Sequence, residues 1–236
     1  MGAPQQQVVI DEKKWQEWIR WVDRIQADIQ ELRKDQQRFA LLKGVVSDNA
    51  RWLDDHDPGR FVWFVRRWYV THASMGVRRQ VKCKKDKSIS LVRLLDEIRR
   101  RSGSLTFKFY LDQHPRGMEG PPWQALAFGK LARCGRTIAE EDVISADIVE
   151  EDIRALTDKG SRLDDVVALV DKEFAHLDSV PSENPVYLSH IDDVLDLLDQ
   201  ITSKYLLFLK GEQWGPLKLP SSAEDIFKIP WSKPMS

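Results

Sequence analysis

Cysteine is scarce in this sequence: Cys83 and Cys134 are the only two among 236 residues. They match no metal-ligand spacing, and one pair makes no disulfide framework. Zinc fingers and stapled secreted mini-proteins are therefore excluded, and a reducing cytoplasm is the expected location. No run approaches the ~18 consecutive apolar residues of a membrane span. The opening MGAPQQQVVI lacks the charged-then-apolar layout of an export signal. Neither sign of charge dominates, with 36 Lys+Arg against 37 Asp+Glu and a formal charge of −1. Collagen-like repeats, low-complexity tracts and internal repeats are missing as well. So are the Walker-type GxxxxGK[ST], GxGxxG after a strand, HExxH and GxSxG motifs. With five histidines and no CxxC, neither a metal site nor a cofactor is expected.

What is present is an ordinary globular balance, 42% hydrophobic and 31% charged. The length suffices for a full core without staples. The near-zero charge hides a segregation. Residues 1–139 carry 27 Lys+Arg against 16 Asp+Glu, residues 140–200 carry 4 against 18, and residues 201–236 carry 5 against 3. Such a division bears on partners rather than on fold. Either the basic part attracts nucleic acid, or the acidic part complements it within one chain or across a dimer.

The chain reads as helices. From Asp11 to about Lys43 there is no Pro or Gly, and Trp15, Trp18, Ile19, Val22, Ile25, Ile29 and Leu32 recur at helical steps. Asp57-Pro58 supplies an N-cap acceptor and a proline suited to a first turn. The helix that follows runs through FVWFVRRWYVTHASMGVRRQV, with Gly76 as its weak point and its aromatics assigned to the core. Ser88 is a candidate cap for SISLVRLLDEIRRR, which should close at Ser102-Gly103. Leu105, Phe107, Phe109 and Leu111 alternate like a strand without a partner, so a short helix or irregular segment is expected over 104–122, with a loop up to Pro122. Further helices are expected at 123–134, 147–158, 162–178 and 187–210. A loop-like tail from 212 to 236 follows, which Trp214 and Trp231 could pin. These add up to an all-α antiparallel bundle with one core at about 11–211, forming one domain over 1–236.

Two histidines stand near cations; His56, His114 and His190 have no evident chemical neighbours. Arg67 and His72 are five positions apart, ~140° around a continuous helix, and would converge only if that helix broke. His72 is otherwise a hydrogen-bonded packing residue among Trp63, Phe64, Trp68 and Tyr69. Lys172 and His176 are four apart on the expected 162–178 helix and share a face. Asp171 and Asp178 could orient the imidazole. Among the five histidines, His176 is read as the one with a cation on its own face and a carboxylate within reach. A histidine beside a cation suits metal-free RNA cleavage: the imidazole moves protons while the cation holds phosphate. Alternatively, Lys172 snorkels and His176 caps a helix end. A separate basic run, RRQVKCKKDK, holds Arg78, Arg79, Lys82, Lys84, Lys85 and Lys87 against Asp86. It is either an RNA-binding surface or a solvated connection.

The stretch DIRALTDKGSRLDDVVALVDKEFAHLD, followed by HIDDVLDLLDQITSKYLLFLKG, resembles the C-terminal half of abortive-infection (AbiU-type) HEPN-like proteins. The resemblance lies in a DKxxAHxD element (Asp171, Lys172, Ala175, His176, Asp178) and in KY-x3-LKG (Lys204, Tyr205, Leu209, Lys210, Gly211). SLVRLLDE, with Arg93, Leu94 and Asp96, is also similar, and the likeness extends over roughly residues 10–215. It implies an all-α bundle that commonly dimerises, from bacterial phage-defence and toxin–antitoxin systems. It also implies RNA cleavage through an Arg-x4–6-His motif, with His176 as the histidine. The arginine is missing, since Leu169, Val170 and Asp171 occupy its places.

The resulting expectation is a cytoplasmic HEPN-like protein, possessing metal-independent endoribonuclease activity through His176, Lys172 and Asp171. The alternative is a degenerate binding or scaffold protein. A homodimer, RNA, and a cognate antitoxin or defence-system protein are the expected partners.

Overall fold

A computed structural model describes residues 10–48, 59–82, 88–114, 123–133, 137–174 and 186–212. The His56 loop, the 115–122 loop, Lys84, Lys85, Lys87, His176, Asp178 and the 213–236 tail, for which the sequence raised expectations, lie outside the described residues. Among the described residues the eight α-helices are α1 (Glu12–Asp48), α2 (Gly59–Val81), α3 (Leu91–Arg100), α4 (Phe107–Gln113), α5 (Trp123–Gly129), α6 (Ala146–Thr157), α7 (Arg162–Leu169) and α8 (Leu188–Lys210). Among the described residues there is no strand, only an isolated bridge between Thr106 and Val143. No described helix is long and apolar enough to cross a membrane.

α1 begins where Asp11 accepts the Lys14 N–H at 2.8 Å, an N-cap that satisfies one of the free donors of the first turn. It runs 37 residues and buries Trp15, Trp18, Trp21, Val22, Ile25, Ile29 and Leu32, the stripe read from the sequence with Trp21 added and Ile19 only half-buried. That stripe packs chiefly on α8 and then on α2. α8 is buried along Ile191, Val194, Leu195, Leu198, Ile201, Tyr205 and Phe208. It ends at Gly211, whose φ of 71° lies in the left-handed region. An aromatic knot closes one end of this pair. Trp15 meets Phe208 at 5.5 Å, and Tyr110 stacks on Phe208 at 5.0 Å. His114 lies against Trp15, Tyr110 and Trp123 there. Its Nε2 lies 3.2 Å from the Phe208 carbonyl, and because a carbonyl only accepts, Nε2 carries the proton. Burial holds this imidazole below its ordinary pKa against the opposing pull of that bond.

Three local expectations need amendment, and one is met. The cap of α3 is Ser90, not Ser88: its Oγ accepts from the Arg93 N–H at 3.3 Å, whereas Ser88 offers its carbonyl to the Arg93 guanidinium at 2.7 Å. Both serines fit the cap pattern, but Gln80 Oε1 accepts the Leu91 N–H at 3.2 Å and fixes where the helix starts. The 104–122 segment contains α4, capped by Thr106, the short helix that was one of its two expected forms. The helix expected over 162–178 is α-helical only to Leu169 and continues as a π turn over Val170–Phe174. The spacing of Lys172 is therefore not that of an α-helix face. Finally, the aromatics of FVWFVRRWY are not core throughout: Trp63, Phe64 and Trp68 are exposed, whereas Tyr69 is buried and stacked on Phe39 at 4.5 Å.

Candidate nucleic-acid interface

The basic run and the DKxxAHxD element, widely separated in sequence, meet in space. α2 ends in Arg78 and Arg79, and Lys82 follows its last turn. The π turn beyond α7 carries Asp171 towards that end. Arg78 Nε donates to Asp171 Oδ1 at 2.6 Å, and Lys82 Nζ donates to Asp171 Oδ2. Burial pushes the Asp171 carboxyl up, but the hydrogen bonds from Lys82 and Arg78 outweigh it and leave the pKa below the usual carboxylate range. Lys172, the next residue in the chain, is half-buried. Arg79 is held separately by Asp28 at 3.1 Å.

Two of the three positions at which the resemblance would put an arginine before His176 are buried. Leu169 and Val170, at two of the three positions it would occupy, are 8% and 2% exposed and belong to the core. A guanidinium there would have to bury its charge. The third position is Asp171, and a guanidinium reaches it from α2 instead.

Arg67 and His72 do not converge. α2 is continuous through both, so they diverge as a regular helix requires. Arg67 lies over the Trp63 ring at 5.1 Å. His72 stacks on Trp68, with ring centroids 5.5 Å apart and planes 6° from parallel. Its Nε2 lies 3.1 Å from Asp35, which also accepts from Arg38 at 2.7 Å. Local reading along α2 missed this carboxylate because Asp35 belongs to α1. His72 thus has the anionic neighbour that the sequence assigned to His176 alone.

The other motif residues of the resemblance hold the fold. Lys204 and Tyr205 both donate to Asp152 of α6, at 2.5 and 2.7 Å. Lys210 pairs with Asp23 of α1 at 2.7 Å. Arg93 covers the Trp21 ring at 4.6 Å, and Asp96 accepts from Arg99 and Arg100. A cleft of about 500 Å³ beside α8 is lined by Lys130, Asp152, Gln200 and Lys204 among others, and shares no residue with the Asp171 cluster.

No protein-family model, curated protein or solved structure matches this chain.

Proposed function

We propose that this chain is a HEPN-like helical protein of the bacterial phage-defence or toxin–antitoxin kind, which engages RNA at the basic end of α2 and cleaves it without a metal ion. The observation that carries this reading is the convergence of Arg78 and Lys82 on Asp171, beside Lys172 and five positions before His176. It provides two cations on one carboxylate within the DKxxAHxD element, and a guanidinium from α2 takes the part of the missing motif arginine. In the reaction the 2′-oxygen attacks phosphorus as the bond to the 5′-oxygen breaks, leaving a cyclic phosphate and a 5′-hydroxyl. His176 takes the 2′-hydroxyl proton or protonates the departing oxygen, and a second protomer would supply the complementary histidine. The cations hold the non-bridging oxygens, the guanidinium with the better fork geometry.

The test is incubation of purified protein with total RNA in EDTA. His176→Ala should lower cleavage about 10²–10⁴-fold, the usual share of positioned proton transfer. Lys172→Ala should also lower it, while Lys172→Arg should preserve it. A wild type without cleavage, or cleavage indifferent to His176→Ala, would remove the nuclease reading. A degenerate binding or scaffold protein would then be the better reading. The same clasp favours that alternative in one respect, since Arg78 and Lys82 already spend their charge on Asp171.

A further inference from the structure

α2 carries five arginines and no Asp or Glu. Its outward face is aromatic as well as basic: Trp63, Phe64 and Trp68 are 59%, 60% and 48% exposed, and Met75 continues the stripe at 54%. Scattered exposed side chains need no explanation, but three large rings on one flank of a helix mark a binding surface: Phe64 and Trp68 are one turn apart, and Trp63 stands ~100° round the axis from Phe64 with Arg67 between them. Two of the rings are already held in stacked arrangements, Trp63 under Arg67 and Trp68 beside His72. The Asp35 carboxylate, itself bound by Arg38, fixes the His72 ring against Trp68. Phe64 and Trp68 are separated by four residues, about 6 Å along the axis, a step that neighbouring unpaired nucleotides can span.

We propose that this flank binds single-stranded nucleic acid, with bases stacking on Trp63, Phe64 and Trp68 while Arg67 meets the phosphates. The charge decides against a second copy of the chain on the same face, because a self-complementary contact would set arginine against arginine with no carboxylate on either helix. It selects a polyanion, and the flat rings select one whose bases are not already stacked in a duplex. The inference rests on the RNA reading and adds the form of nucleic acid taken and a contact surface separate from the Asp171 cluster.

The experiment is fluorescence anisotropy with a labelled single-stranded 2′-O-methyl RNA of about 12 nucleotides, a length within the usual single-strand site range. The probe cannot be cleaved through a 2′-hydroxyl. The same strand in a duplex is the comparison. Trp63→Ala and Trp68→Ala should each weaken single-strand binding about 5- to 150-fold, the range for one lost base stack. Trp68→Phe should keep most of the affinity, and duplex binding should not change. The mutated rings are exposed, so unchanged circular dichroism should accompany the loss. Single-strand affinity unaltered in the Trp63→Ala/Trp68→Ala double variant would overturn the proposal and leave the RNA reading standing. A wild type that binds neither probe would overturn both. A wild-type dimer that Trp68→Ala dissociates would give the face to a second copy and overturn the proposal.

Discussion

Gly76 lies inside α2, where a Cβ would come within 2.6 Å of Leu32 Cδ2 on α1. Leu32 is buried, so its methyls cannot swing aside into solvent. Alanine there gains about 1 kcal/mol in helix propensity but forces overpacking that costs about 1–3 kcal/mol. Gly76→Ala should therefore lower the melting temperature by a few degrees, at about 2–4 °C per kcal/mol for a chain of this size. A Cβ on Gly44 meets nothing within 4 Å, so Gly44→Ala should raise the melting temperature and serves as the control. Asp171 allows a second single-residue test. Asp171→Asn removes the anion that holds Arg78 and Lys82 and should destabilise by about 1 kcal/mol, as expected for a half-exposed cluster. If the basic end of α2 contacts RNA, the freed cations should tighten RNA binding, and log affinity should fall more steeply with log salt by about one phosphate contact. Weaker binding by Asp171→Asn, measured by salt titration, would count against that contact.

At the scale of elements, legibility followed the reach of local pattern. α1 and α8 were readable because one apolar stripe on each is buried throughout, so period and burial agree. α2 was readable as a helix but not by face: it is apolar on both sides, and periodicity alone does not say which side another helix will cover. The π turn after Leu169 and the clasp from α2 to Asp171 depend on tertiary contacts between residues 89 and 93 positions apart, beyond any local signal. The helices also bury phenols that the sequence showed only as aromatics. Tyr69 of α2, Tyr110 of α4 and Tyr205 of α8 have pKa values raised chiefly by burial. The Asp152 carboxylate that accepts from Tyr205 adds to the effect there, as Asp192 does for Tyr69. A raised folded pKa means stability fully present below the unfolded value of about 10 and lost as pH rises beyond it. Chemical denaturation followed against pH should show a steep loss above about pH 10. Tyr205→Phe should make that loss shallower by about one proton, while costing about 1 kcal/mol at neutrality through the lost bond to Asp152. An identical alkaline slope in the variant would mean that Tyr205 ionises without unfolding the chain.

Over the whole molecule, the segregated charge finds its complement inside one chain. Asp196 and Asp199 of the acidic segment meet Arg33 of α1 at 2.5 and 3.3 Å, and Glu150 meets Arg99 at 3.0 Å. Asp147 and Glu151 meet Arg133, and Asp171 meets Arg78 and Lys82. These pairs relieve part of the self-repulsion of the acidic segment within one chain. Arg33 is the best place to measure this. Its side chain is 14% exposed, and it joins α1 to α8, the chief helix pair of the fold. Asp196 is 69% exposed, so solvent screening limits the pair, and removing the guanidinium should cost about 1 kcal/mol rather than the several expected of a buried ion pair. Arg33→Gln, which keeps much of the packed stem, should lower the melting temperature by about 2–4 °C at 50 mM NaCl. At 0.5 M NaCl the screening length falls to about 4 Å, and the difference between wild type and variant should shrink. Thermal melts of both proteins across that salt range decide the matter. A gap that stays constant with salt would show that Arg33 acts by packing, and that the opposite charges of the two segments meet without stabilising the fold.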